Sequence, residues 1–128
     1  MKPPLENIGV SQRSREILIT LKRRTGIANW NIISRWAFCD SLADQNRPVP
    51  VVGHADSNID MSWNTFAGEI SDALLAAFEI RAAKDKVTKD KQERAAYFRS
   101  HLERGISQLQ NAKNLSDLAS RSLSRQAR

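Results

Sequence analysis

A chain of 128 residues with 41% apolar content has the length of one domain and enough apolar surface for a modest core. Its single cysteine, Cys39, excludes an internal disulfide, and the two histidines, His54 and His101, complete no familiar metal-ligand spacing with it. The net charge of +6 is segregated: residues 1–50 carry eight Lys/Arg against four Asp/Glu, residues 51–87 three against six, and residues 88–128 nine against four.

The start, MKPPLENIG, has no apolar run of the signal-peptide kind, and no later stretch approaches the roughly 18 apolar residues of a membrane span. A cytoplasmic protein without a membrane partner is expected. Pro3, Pro4 and Gly9 predict an extended arm over residues 3–9. Ser11 then caps a first helix running to Thr25, with Ser14, Ile17, Leu18 and Leu21 on one stripe and Gly26 supplying the stop. Asn29 caps a second helix to about Asp44, ended by Asn46-Arg47-Pro48. This helix is apolar on nearly every face, so it belongs at the centre of the fold, between subunits, or both.

Residues 46–61, with two prolines and a cluster of Asp, Ser and Asn, predict a long irregular connection. Ser62 starts a third helix whose Trp63, Phe66, Ala67, Ile70, Leu74, Ala77 and Phe78 keep helical spacing to about Lys84. A fourth begins near Thr88 and presents Phe98, Leu102, Gly105, Ile106 and Leu109 on one face. Leu115, Leu118, Ala119 and Leu123 allow a short, fraying terminal helix. The expected architecture is all-α: a compact helical domain of four to five helices with an extended N-terminal arm, a single domain over 1–112 and a partly ordered basic tail over 113–128.

Basic ends around an acidic middle suit a polyanion such as nucleic acid; a soluble basic protein with no such partner is the plainer alternative. At 100° per residue the first helix places Arg13 and Arg24 along one border of its apolar stripe and Arg15 and Lys22 along the other, with Arg23 beside them. Arg13 and Arg24 are about 16 Å apart by helix rise, a plausible reach between phosphates. Arginines snorkelling at a core edge would give the same pattern. In the second helix Arg35 is the one basic side chain, and Asn29, Asn31 and Ser34 with free amides make a phosphate cradle or a simple cap.

Ile19, Trp30, Ile32, Ile33, Trp36 and Phe38 are candidates for a subunit interface, since aromatics interleaved with isoleucines favour packing over base stacking. Cys39 in this apolar helix reads as an inert thiol. His54 and Asp56 with Asp60 form at most a weak metal or acid-base group, His101 a surface or interface group, and Glu69, Asp72 and Glu79 a solvated face. With no phosphate loop, nucleophile elbow or acidic metal cluster, neither an enzyme nor a cofactor is expected.

Three ordered blocks, TGIANWNIISRWAFCDSL at Thr25–Leu42, DSNIDMSWNTFAGE at Asp56–Glu69 and FRSHLERGISQL at Phe98–Leu109, resemble the DndE family of DNA sulfur-modification proteins. The family belongs to the bacterial Dnd system, which replaces a non-bridging phosphate oxygen of DNA with sulfur, its desulfurase, sulfur-transfer and ATPase functions lying in partner proteins. The resemblance implies a small non-catalytic subunit binding double-stranded DNA, and an oligomer, a homotetramer, whose arm-helix-helix half is reminiscent of ribbon-helix-helix proteins. It also implies the other subunits of the modification complex as partners. Rival readings are an adaptor whose DNA affinity is incidental, and a dimeric regulator reading bases with an N-terminal strand, for which PPLENIG has poor strand character.

Overall fold

Local capping groups set where the helices begin. The computed structural model describes residues 2–51 and 56–126, with side chains as far as Arg121. Among these the order is β1 (Asn7–Gly9), α1 (Gln12–Thr25), α2 (Trp30–Ala43), β2 (Asp60–Ser62), α3 (Trp63–Ala67), a 3-10 turn (Gly68–Ile70), α4 (Ser71–Lys84), α5 (Lys91–Leu109) and α6 (Leu115–Gln126). The fold is mostly helical, as expected. The Ser11, Ser62 and Asp90 side chains accept the amides of Ser14, Thr65 and Glu93 at the starts of α1, α3 and α5. Gly26 ends α1 in the left-handed region (φ 77°), its amide donating to the Lys22 carbonyl at 3.0 Å.

The spine is the crossing of α2 and α5. A Cβ on Gly105 would fall 1.9 Å from the Ala37 carbonyl oxygen, so the missing side chain lets the two backbones touch. Around this point Phe38 stacks on Phe98 at 4.6 Å between centroids, and Phe66 packs edge-on to both at 5.7 and 5.5 Å. α1 packs on α2 and α5, whereas α4 packs on α2, α3 and α5.

Three expectations need correction. The arm is not merely extended: β1 pairs antiparallel with β2, Ile8 opposite Met61, and buries Ile8 completely. Its strand partner is therefore in its own chain. The connection before Ser62 accordingly ends in a strand. The third helix is interrupted at Gly68, whose φ of 60° is open to glycine and rare for other residues, and the Arg35 guanidinium occupies the space a Cβ would take there, with Nη2 only 2.7 Å away. After residue 112 the short terminal helix expected there is present as α6, with Leu118 fully buried in the main core and Arg121 Nε paired with Asp40 Oδ1 at 2.7 Å.

No helix among the described residues is long and apolar enough to cross a membrane.

Candidate nucleic-acid interface

α1 carries three of its five cations where helix physics favours them. Lys22, Arg23 and Arg24 fill the last turn, at the negative end of the helix dipole, and no acid occupies the first. Arg13 and Arg23 are exposed and make no hydrogen bond or ion pair with another described residue. Arg24, also exposed, reaches the carbonyls of Gln110 and Ala112 with long bonds of 3.4 and 3.5 Å.

Arg15 and Lys22 point elsewhere, to a cavity of about 560 Å³ shared with the start of α2 and the strand β2. Arg15 Nε donates to Asn58 Oδ1 at 2.8 Å, and Lys22 Nζ lies 4.0 Å from the Trp30 ring centroid. Asn29 stands at the N-cap of α2 without a side-chain cap bond, and the first turn has no acid. The side-chain cap expected of Asn29 is therefore not formed. Two cations and an uncapped helix end give the cavity an anion-attracting rim, tempered by Asp60 on its wall. Asn31 is less free, its Nδ2 donating to the Thr65 carbonyl at 3.1 Å.

Several expected site residues lie elsewhere or do other work. Ser34 is fully buried, with an Oγ that has no hydrogen-bond partner, and takes no part in the cradle. Arg35 donates from Nε to the Phe66 carbonyl at 2.7 Å and from Nη2 to that of Thr65 at 3.4 Å, so it clamps the end of α3. Ile33 and Phe38, expected at a subunit interface, are enclosed in the subunit's own core. Ile19 and Ile32 are exposed at 38% and 37%, and Trp30 and Trp36 are partly buried.

Cys39 is exposed rather than enclosed, and Arg35 sits one turn before it. Its thiol pKa is still raised, because partial desolvation and the Asp40 carboxylate outweigh the lowering by Arg35. His101, expected at the surface or an interface, is fully buried, with Nδ1 2.8 Å from Ser41 Oγ. Burial first, then Arg104 and Arg81, push its pKa down to about 4. Asp56 Oδ1 accepts the Gln12 amide at 2.7 Å and so serves the start of α1. His54 lies outside the described residues. Glu69 and Asp72 are exposed, and Glu79 pairs with Arg94.

Sequence reasoning missed Asn58 and Thr65 as cavity residues, and Arg81 and Arg104 as clamps on the end of α2. Arg81 donates to the carbonyls of Leu42 and Asp44 at 2.8 and 2.6 Å, and Arg104 to that of Ser41 at 2.8 Å. The one sequence signal for the first pair is that both fall in the block Asp56–Glu69 that carries the family resemblance.

Comparison with known proteins bears on this arrangement directly. Among curated proteins none matches the chain. The crystal structure of DndE from Escherichia coli B7A, described as involved in DNA phosphorothioation modification, superposes with a TM-score of 0.66 at 26% identity, covering 85% of this chain and 98% of that one. That of a DndE G21/24K mutant superposes with a TM-score of 0.67 at 22% identity over 85% and 99%, a likeness of fold. The family model for DNA sulphur modification protein DndE matches residues 7–117, from β1 into the first turn of α6, and the chain therefore belongs to the DndE family.

Proposed function

We propose that this chain is a non-catalytic, DNA-binding subunit of a bacterial DNA phosphorothioation system, acting as a homo-oligomer and gripping duplex through its phosphates. The observation that carries the reading is the state of α1: Arg13 and Arg23 stand exposed without partners among the described residues, next to Arg24 and to the Arg15–Lys22 cavity. Phosphate contacts position a duplex without reading its sequence. Sequence choice then falls to the partner enzymes or to the deformability of the DNA.

A nick adds backbone freedom and lets the strand settle deeper onto such a surface, so nicked duplex is the preferred form in this reading. The oligomer, taken as a tetramer, multiplies weak phosphate contacts through effective concentration. Family membership supports the biochemical setting, and the distribution of unpartnered cations supports the surface.

The test is titration of the purified protein with intact and nicked duplexes of one sequence over a salt series. Each neutralised phosphate contributes roughly 0.9 to the log-log salt slope, so Arg13→Ala and Arg23→Ala are each expected to lower it by about one for every phosphate no longer neutralised. Arg35 is unsuitable for this purpose, since its removal would release α3. Absence of low-salt affinity in a properly assembled protein would leave the adaptor role instead, and equal affinity for both duplexes would remove the nick preference.

A further inference from the structure

The outer side of α4 has no partner among the described residues. Ile80 is 70% exposed; Asp72, Ala73, Ala83 and Lys84 are exposed and Ala76 half-buried, while Leu74, Leu75, Phe78 and Ala82 face the core. Asp72, Ala76, Ile80 and Lys84 follow one another at intervals of four, which makes them a single ridge along the helix. From its N-terminal end this ridge runs acid, small, large, base.

Turned end over end, such a ridge is complementary to itself. Asp72 then faces Lys84 of a second copy at each end, and Ile80 enters the space over Ala76 of that copy on either side of the symmetry axis. Ala73 and Ala83 flank the crossing and add no bulk. The antiparallel arrangement also opposes the two helix dipoles, with the acid at the positive end and the base at the negative end of each. A parallel arrangement would set Asp72 against Asp72 and Ile80 against Ile80. Duplex DNA is a poor occupant, since Glu69, Asp72 and Glu79 lie along this stretch.

We propose that α4 packs antiparallel against α4 of a second copy of this chain about a twofold axis, Ile80 over Ala76 and Asp72 against Lys84. Interdigitated ridges of this spacing cross at about −50°. An isologous contact closes at two subunits, and with a second isologous contact on another face it closes at four. The inference rests on the homo-oligomer proposed above but not on DNA binding.

The experiment is the solution mass of the full chain by light scattering over a concentration series. Ile80→Asp is expected to halve the mass while preserving the helical spectrum, because the side chain supports nothing in its own subunit. Asp72→Lys and Lys84→Asp are each expected to weaken association about tenfold, since each turns two attractions per dimer into repulsions. The double variant D72K/K84D is expected to restore association by exchanging the signs. A wild-type monomer would overturn this contact together with the oligomer. A wild-type oligomer whose mass is unmoved by Ile80→Asp would overturn this surface alone, and a double variant no better than either single one would overturn the antiparallel pairing.

Discussion

Replacing Gly105 by alanine tests whether the α2–α5 crossing organises the molecule. In a helix interior this change ordinarily stabilises by about 1 kcal/mol through backbone propensity. Here the added Cβ would stand 1.9 Å from the Ala37 carbonyl oxygen and 2.4 Å from its carbon. A carbon–oxygen contact needs about 3.3 Å, so the helices must part by roughly 1.4 Å. Gaps of that size forfeit a quarter to a half of the dispersion attraction across the seam, including that between Phe38 and Phe98, and overpacking typically adds about 1–3 kcal/mol. The expected net effect is destabilisation by about 3 kcal/mol, a large share of a typical folding free energy. In thermal unfolding at fixed protein concentration this lowers Tm by on the order of 10 °C. A Tm that is unchanged or raised would refute the reasoning, since propensity alone would then have decided the outcome.

Two further outcomes follow from the core. His101 is neutral when folded, with a pKa of about 4 against an ordinary value of 6.5, so the unfolded chain takes up the proton first as pH falls. Stability is therefore complete above about pH 6.5 and declines towards pH 4 by on the order of 2–3 kcal/mol; urea midpoints at about pH 7 and pH 4.5 should show this loss in the wild type and much less of it in His101→Gln. Leu118→Ala removes a fully buried side chain from α6 and is expected to cost about 2–4 kcal/mol. If α6 lay outside the cooperative unit, the main unfolding transition would not move.

The helix ends were legible because their causes are local. Ser11, Gly26 and Ser62 mark boundaries through groups a few residues away, and the structure keeps all three, whereas Asn29 holds its N-cap position without a side-chain bond. What fills the space beside Gly68 was not legible, because it is Arg35, more than thirty residues earlier in the chain. Arg35 itself was misread for the same reason: its carbonyl partners belong to a distant segment, and charge alone pointed it outward. The apolar composition of α2 concealed Cys39, which lies on an exposed side that Ile32 also reaches. The α1 cations kept their promise of exposure only at Arg13, Arg23 and Arg24, while Arg15 and Lys22 turned towards a cavity whose far wall no local pattern announces.

The pairing of Asn7–Gly9 with Asp60–Ser62 has a kinetic meaning. Helices α1 and α2 form from neighbouring residues, but this ribbon must close a loop of about fifty residues for only three paired positions, an entropic cost repaid late. β2 and the residues just before it supply Asn58, Asp60 and Met61 to the wall facing Arg15 and Lys22. Opening of the ribbon by local fluctuation would dissolve that wall while the α2–α5 crossing stayed intact. The far wall of the anion-attracting cavity thus hangs on three paired strand positions, and not on the helical spine.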